Sequence, residues 1–260
     1  MARLNGKVAL ITGGASGMGA GAARVMAREG CRLVLADLNA SLLGELCTEL
    51  GSDVATGQVC DITDQNQVAG LVEHAIERFG RIDILFNNAG IAGIGSVATT
   101  EPGDWRRVID VDLSAVYYVS RLVIPHMLGK GGGAIINNAS VSGMFGDYAM
   151  ASYSAAKGGV VNLTRNMALD LAQSCIRVNC ICPGAIDTPL FQGIKDMPEL
   201  FRGFEQAIPM KRLGMTSEIG EAVAFLASDA ASYITGLIMP VDGGLTCRTG
   251  WPNIADYMPS

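Results

Sequence analysis

The chain has 260 residues, of which 49% are hydrophobic and 17% charged, so it can bury a sizeable core and does not have the composition of a disordered protein. This length suits one large α/β domain or two small ones. The net charge of −6 disfavours nucleic acid or an anionic membrane surface as the main partner.

Cysteine and histidine usage argues against a metal site. The seven cysteines include no C-x-x-C pair, and the chain has two histidines, so neither a zinc site nor a disulfide framework is expected. We interpret the cysteines as small buried residues in a reducing compartment. Residues 1–20 lack a signal-peptide pattern, and no apolar run reaches the ~18 residues of a transmembrane helix. The sequence therefore predicts a cytoplasmic protein with no metal and no membrane partner.

The first predicted unit is a strand, a glycine-rich turn and a helix. Residues 8–11 form a continuous apolar run, typical of a strand buried on both faces of a parallel sheet. Residues 12–19, with the sequence TGGASGMG, can turn tightly and approach a pyrophosphate, which the N–H groups of a helix N-terminus then bind. Their spacing is G-x-x-x-G-x-G, and the absence of a Lys after Gly19 excludes a P-loop. By itself this turn is weak evidence, because glycines serve any tight turn.

An acidic residue ends the second predicted strand, residues 32–37. Asp37 lies 18 residues beyond Gly19, close to the ~20 expected for a carboxylate that binds the hydroxyls of an adenosine ribose. The alternative is that Asp37 caps the helix that follows. We favour the ribose role, which predicts NAD rather than NADP because a 2′-phosphate would face the negative charge of Asp37.

Strands and helices alternate along the rest of the chain. Helices are expected at residues 105–121, with Asp104 as the cap, and at residues 152–172. Further strands are expected at residues 54–61, 82–86, 134–137, 177–181 and 237–241. This alternation requires parallel crossovers and predicts an α/β fold, with a doubly wound parallel sheet of seven strands and helices on both faces. No repeat or linker interrupts the pattern, so we expect residues 1–260 to form a single domain.

The candidate catalytic residues lie between residues 140 and 157. Tyr153 and Lys157 are four residues apart, so on a helix their side chains leave the same face one turn apart. Ser140 follows a predicted strand and can face that helix. A free Tyr has a pKa of about 10, and a Lys cation about 4 Å away supplies on the order of 4 kcal/mol at an effective dielectric near 20, enough to make the phenol reactive near neutral pH. A Y-x-x-x-K pattern alone is more often a half-buried Tyr beside an exposed Lys.

The order and spacing of these motifs together resemble the short-chain dehydrogenase/reductase family over essentially the whole chain. The matching pieces are the turn at residues 12–19, Asp61, the N-N-A-G run at 87–90, Ser140, Tyr153 with Lys157, and the P-G-A-I-D-T run at 183–188. The resemblance implies a seven-stranded Rossmann sheet and the NAD(P)-linked interconversion of an alcohol and a carbonyl compound.

The resemblance also implies a role for each catalytic residue. Tyr153 would exchange a proton with the substrate oxygen, Lys157 would lower the pKa of that phenol and bind the nicotinamide ribose, and Ser140 would donate a hydrogen bond to the substrate oxygen. Asp112 stands where the family usually has an Asn that supports a water beside the Lys. Its carboxylate is expected to offset part of the effect of Lys157, although it could instead be protonated, pair with Arg107, or be a tolerated substitution.

The expected cofactor is NAD, held by residues from several strand ends. Asp61 would contact the adenine, the 87–90 run the adenosine ribose, and Ile186 with Thr188 the nicotinamide carboxamide. The full predicted set is Gly13, Ser16, Gly17, Met18, Gly19, Asp37, Leu38, Asp61, Ile62, Asn87, Ala89, Gly90, Tyr153, Lys157, Pro183, Gly184, Ile186 and Thr188.

The substrate side is less specific. Residues 189–214 are rich in apolar side chains and resemble a substrate lid, which favours a neutral, hydrophobic secondary alcohol or ketone of alicyclic, aryl or steroid-like type. Lys195, Arg202 and Lys211 leave an anionic substrate open.

The aromatic tail at residues 245–260 could dock on a neighbouring subunit of a homotetramer, as expected for this family, or fold back on its own chain. Alternative functions are an NADPH-dependent 3-oxoacyl-thioester reductase and a non-catalytic dinucleotide sensor.

Overall fold

A single parallel sheet organises the computed structural model, which describes residues 2–249, 251 and 254–258. Its strand order is β3-β2-β1-β4-β5-β6-β7, and every neighbouring pair runs parallel. The strands are Val8–Thr12 (β1), Arg32–Asp37 (β2), Ala55–Val59 (β3), Ile84–Asn87 (β4), Gly133–Asn138 (β5), Ile176–Pro183 (β6) and Ile238–Val241 (β7). The chain winds outward from β1 in both directions, so the predicted doubly wound Rossmann sheet is confirmed.

Helices cover both faces of this sheet. They are Gly17–Arg28 (α1), Ala40–Leu50 (α2), Gln65–Phe79 (α3), Pro102–Ile109 (α4), Ala115–Gly129 (α5), Ala151–Leu171 (α6), Gln192–Lys195 (α7), Pro198–Ala207 (α8) and Thr216–Ala227 (α9). Short 3-10 turns lie at Val141–Gly143, Ala172–Ser174, Pro189–Phe191, Asp229–Ala231, Leu245–Cys247 and Ile254–Tyr257. No helix in the described part of the chain is long and apolar enough to span a membrane.

The strands separate two hydrophobic layers, because successive side chains of a strand point to opposite faces. In β1, Ala9 and Ile11 pack with α1, α2 and α9, whereas Leu10 packs with α3, α5 and the end of α6. All of β1 is buried, which explains why its sequence is a continuous apolar run rather than an alternating one.

The helical segment before β5 differs from its prediction. It begins at Pro102, and a π-helical turn at Asp110–Ser114 joins α4 to α5. The residue preceding α4 is Glu101, whose side chain makes no capping hydrogen bond, so the predicted Asp104 cap is wrong. Proline suits the first helical position because its fixed φ is helical and its missing N–H needs no partner there. The π-helical turn has a consequence for the site, since it contains the fully buried Asp112.

The predicted lid and tail contain short helices and 3-10 turns. Residues 189–214 contain α7 and α8, and the rings of Phe191 and Phe204 meet edge to face with centroids 5.1 Å apart. In the tail, Trp251 is 80% exposed. Residues 250, 252, 253, 259 and 260 of the tail lie outside the described residues, and the docking of the tail on a neighbouring subunit stays a prediction.

Candidate active site

A cleft of about 840 Å³ runs along the carboxyl ends of β1 to β4, the edge at which parallel sheets bind ligands. Most of the predicted cofactor residues come together there. Those that line it are Gly13, Ser16, Gly17, Met18, Asp37, Leu38, Asp61, Ile62, Ala89, Gly90 and Thr188. The predicted cofactor residues that do not line the cleft are Gly19, Asn87, Tyr153, Lys157, Pro183, Gly184 and Ile186.

The glycine-rich turn leaves a helix N-terminus open to an anion. A Cβ on Gly19 would lie 2.0 Å from the carbonyl oxygen of Gly13, so the turn can close this tightly only without a side chain there. Ser16 precedes α1, its side chain makes no capping hydrogen bond, and the first turn of α1 has no acidic residue. The N–H groups at the start of α1 therefore have no side-chain acceptor among the described residues. This arrangement fits the pyrophosphate of a dinucleotide.

Asp37 is held against this turn. Its Oδ2 accepts a hydrogen bond from the backbone N–H of Ala15 at 3.0 Å, and its Oδ1 accepts one from the N–H of Asn39 at 3.0 Å. The side chain of Asn39, and not that of Asp37, caps α2 by accepting from Leu42. The alternative role of Asp37 as a helix cap is therefore wrong, and its carboxylate faces the cleft with acceptor capacity remaining on both oxygens.

Asn87 was predicted to line the ribose, but its side chain points elsewhere. Its Nδ2 donates to Ser120 Oγ at 3.0 Å and to Asn137 Oδ1 at 2.9 Å, within the buried core. Asn88 lines the cleft instead, and its Nδ2 donates to the carbonyl oxygen of Thr12 at 3.0 Å. The physical reason is that successive residues at a strand end point in opposite directions.

Tyr153 and Lys157 both lie on α6, as predicted, and the loop after β5 packs against that helix. Lys157 is 3% exposed, and its Nζ lies 5.6 Å from the centre of the Tyr153 ring. Ser140 is 8% exposed, and its Oγ accepts a hydrogen bond from the N–H of Ser142 at 3.2 Å. A Cβ on Gly143 would lie 2.6 Å from the carbonyl carbon of Lys157, so glycine is required for this close approach. Three of the four predicted catalytic side chains, those of Ser140, Tyr153 and Lys157, are thus carried by two segments in direct contact.

Asp112 lies in direct contact with Lys157. Its Oδ2 is 3.1 Å from Lys157 Nζ in an ion pair, and its Oδ1 accepts from the backbone N–H of Ile91 at 2.8 Å. Lys157 Nζ also donates to the carbonyl oxygen of Asn138 at 3.0 Å. The alternative in which Asp112 turns away to pair with Arg107 is therefore wrong.

The surroundings of Lys157 favour its charged form. Burial acts in the opposite direction and favours the neutral amine. The attraction of Asp112, followed by that of Tyr153, outweighs burial, so the pKa of Lys157 is raised above its ordinary value. A cation is therefore held beside Tyr153 at neutral pH.

Several residues of the cleft were missed from the sequence. Arg106 and Arg107 of α4 line it, although the basis for expecting NAD was that no basic residue neighbours Asp37 in the chain. Val111 also lines it, one helical turn beyond Arg107, and a helical projection of residues 102–114 could have grouped the two.

Comparisons with known proteins agree with this geometry. A family model of the short-chain dehydrogenases/reductases, described as enoyl-(acyl carrier protein) reductase, matches residues 13–246. Meso-2,3-butanediol dehydrogenase of Serratia marcescens is 42% identical over 253 residues, covering 97% of this chain and 99% of that protein. A 3-oxoacyl-[acyl-carrier-protein] reductase of Thermotoga maritima is 38% identical, covering 94% of this chain and 99% of the relative.

A solved structure shows the same architecture. The crystal structure of levodione reductase superposes with a TM-score of 0.90 at 38% identity, covering 94% of this chain and 99% of that one. The chain therefore belongs to the short-chain dehydrogenase/reductase family, as an oxidoreductase that interconverts alcohols and ketones with a nicotinamide dinucleotide.

Proposed function

We propose that the protein interconverts a secondary alcohol and a ketone with NAD as its preferred cofactor, and that its substrates are neutral and largely hydrophobic. The observation that carries this proposal is the buried Lys157 beside Tyr153 on α6, next to a cleft that contains Asp37. When bound, NAD would supply the hydride acceptor for oxidation, and its reduced form the hydride donor for reduction.

The chain offers a partner for each part of the cofactor. The start of α1 would bind the pyrophosphate, Asp37 the adenosine ribose, and Asp61 with Ile62 the adenine. Gly90 was predicted to line the adenosine ribose, but a Cβ on Gly90 would come within 3.1 Å of Lys157 Nζ, so we propose instead that Gly90 lies near the nicotinamide ribose together with Lys157. Ile186 and Thr188, which follow β6, would hold the carboxamide of the nicotinamide.

Three side chains would carry the proton chemistry, and a fourth, that of Asp112, would position one of them. Ser140 donates a hydrogen bond to the substrate oxygen and positions it. In oxidation, the phenolate oxygen of Tyr153 accepts the hydroxyl proton of the alcohol, and in reduction the phenol returns a proton to the carbonyl oxygen. Lys157 stabilises the phenolate through its positive charge. Asp112 positions Lys157, and its carboxylate offsets part of the effect of the lysine charge on the phenolate.

Asp37 supports a preference for NAD. A 2′-phosphate beside its carboxylate would bring two like charges about 4 Å apart, at a cost on the order of 4 kcal/mol at an effective dielectric near 20. Arg106 and Arg107 line the same cleft and would reduce this cost if they reach the phosphate. The local contact of Asp37 with the turn favours the ribose hydroxyls as its ligands.

The competing function is an NADPH-dependent 3-oxoacyl-thioester reductase, which the Thermotoga maritima relative favours. The butanediol dehydrogenase and levodione reductase relatives favour small neutral alcohols and ketones instead. A non-catalytic dinucleotide sensor would not need Ser140, Tyr153 and Lys157 together. A screen of secondary alcohols and 3-oxoacyl thioesters with each cofactor, read as absorbance of the reduced nicotinamide, separates all three.

The remaining proposals concern assembly and location. We propose a single domain over residues 1–260, with a lid at 189–214 and a tail at 245–260, that assembles as a cytoplasmic homotetramer. Exposed Tyr117 on α5 and Leu169 on α6 supply apolar surface for such an assembly. Light scattering after size-exclusion chromatography measures the mass, and a monomer would contradict the proposal.

A further inference from the structure

The loop between Ser140 and Tyr153 presents a carboxylate next to the proposed catalytic residues. Asp147 is exposed, and its Oδ2 accepts a hydrogen bond from Ser142 Oγ at 2.8 Å. Ser142 is 7% exposed, and its N–H donates to Ser140 Oγ. Ser142 thus joins the catalytic serine to Asp147 and fixes where the carboxylate stands.

The structure records no ion pair for Asp147 among the described residues, and no other hydrogen bond to its carboxylate there. A carboxylate accepts hydrogen bonds and cannot donate them, and it has two oxygens with several acceptor directions. The Oδ1 atom is therefore available to a donor group that enters from solvent.

The basic side chains of the lid do not neutralise the negative charge of Asp147. Lys195 Nζ bonds to Asp187 Oδ1 at 2.6 Å, and the guanidinium of Arg212 pairs with Glu218 at 2.7 Å. Lys211 Nζ donates to the carbonyl oxygen of Gln206 at 2.8 Å. Arg202 Nε donates to the carbonyl oxygen of Pro198 at 3.5 Å. Two of the four cations of the lid are thus in ion pairs and two bond to backbone carbonyl oxygens, and none of them pairs with the carboxylate of Asp147.

We propose that Asp147 is a specificity-determining residue, which accepts a hydrogen bond from a second hydroxyl group of the substrate and disfavours substrates that carry a carboxylate. The preferred substrates are then diols in the oxidative direction and hydroxy ketones in the reductive direction. This inference rests on the proposed function, and it narrows the neutral substrate class to compounds with a second donor near the reacting carbon.

The test compares three substrates of the same chain length: 2,3-butanediol, 2-butanol and 3-hydroxybutanoate. In the wild type, kcat/KM falls in that order. Asp147→Ala lowers kcat/KM for the diol about tenfold or more, mainly through KM, and changes the value for 2-butanol by less than about twofold. Asp147→Asn raises activity on 3-hydroxybutanoate relative to the diol, and Asp147→Glu recovers part of the diol preference. Asp53→Asn, which alters an exposed carboxylate in the loop before β3, is the control and changes none of these ratios.

A structural role for Asp147 predicts a different pattern. If Asp147→Ala lowers kcat/KM for 2-butanol and the diol equally, the carboxylate only supports the loop and the proposal is overturned. Calorimetric titration of 2,3-butanediol into the protein with bound NADH gives a readout independent of turnover. If Asp147→Ala binds the diol more weakly than the wild type does, the role of Asp147 is retained. If the wild type also turns over no alcohol, the proposed function is rejected while that role stands. Equal diol binding to both proteins would reject the role of Asp147 whatever the turnover.

Discussion

Asp112 Oδ2 lies 3.1 Å from Lys157 Nζ, and the two side chains are 0% and 3% exposed, so the proposed catalytic lysine is one half of a buried ion pair. The carboxylate is also anchored to the backbone of Ile91 at the edge of the cofactor cleft. The pair therefore ties the π-helical turn after α4 to α6 and to the segment after β4. Removing one partner of a buried ion pair typically costs about 3–5 kcal/mol of stability.

The charge of Asp112 should be visible in the pH dependence of oxidation. A carboxylate near Tyr153 opposes the negative charge that the phenolate carries, so Asp112→Asn should move the rise in kcat/KM to lower pH while activity is retained. The measurement is the pH profile of kcat/KM for alcohol oxidation at fixed ionic strength, wild type against variant. A midpoint that stays in place, or moves to higher pH, contradicts this role.

Because of the same ion pair, the difference in unfolding free energy between the wild type and Asp112→Asn should depend on pH. The pKa of Lys157 is raised above its ordinary 10.5 in the folded protein, so the pair stabilises the wild type fully below that pH and loses its effect as pH rises through the raised value. In the variant the attraction of Asp112 is lost while burial still favours the neutral amine, so the pKa of Lys157 is lower than in the wild type and the variant loses less stability as pH rises.

We therefore expect the difference in Tm between the two proteins to be largest near neutral pH and to narrow at strongly alkaline pH. Thermal unfolding from pH 7 to 11 measures it. Asp104→Asn, in the exposed first turn of α4, serves as the control and should show no such trend. A difference that widens with pH would mean that the pair does not act as described.

Asp37 should control the choice between NAD and NADP. We expect kcat/KM with NAD to exceed that with NADP by at least about tenfold, and Asp37→Ser to reduce this ratio by about tenfold, since the repulsion of a 2′-phosphate is removed. The control is Asp53→Ser, at an exposed carboxylate in the loop before β3. Equal or better efficiency of the wild type with NADP would refute the assignment and would point to Arg106 and Arg107 as phosphate ligands.

Gly90 should be intolerant of a side chain. A Cβ at this position would lie 2.9 Å from Asp112 Oδ2 and 3.1 Å from Lys157 Nζ, so Gly90→Ala must displace the ion pair. We expect a loss of about 1–3 kcal/mol in unfolding free energy, typical of overpacking, together with reduced turnover. Gly129→Ala, at the end of α5, should leave turnover unchanged, because the added Cβ has no atom within 4 Å apart from its chain neighbours and the backbone of its own helix. Chemical denaturation and steady-state kinetics of both variants provide the test, and equal behaviour would contradict the close contact at Gly90.

The sheet could be predicted from the sequence because the signals for its strands and turns lie within short runs of consecutive residues. The central strands are buried on both faces and appear as apolar runs, and glycines mark the turn that follows β1. The placement of Tyr153 and Lys157 followed from helical spacing alone. The orientation of Asn87 was predicted wrongly, because the direction of a side chain at a strand end depends on where the strand stops. The contribution of Arg106 and Arg107 depends on how α4 docks, and the direct contact of Asp112 with Lys157 depends on the π-helical turn, neither of which has a signal in the nearby sequence.

Replacement of Tyr153 by Phe tests the central claim most directly. The variant keeps the aromatic ring and removes the phenol oxygen, the group proposed to exchange a proton with the substrate. Formation of reduced cofactor from a confirmed secondary alcohol gives turnover, and fluorescence titration with NADH gives cofactor binding. The proposed mechanism predicts that turnover falls more than about hundredfold, as expected for loss of a general acid–base, while the Kd for NADH changes by less than about threefold. Turnover within about tenfold of the wild type, with NADH binding intact, would contradict the role of Tyr153.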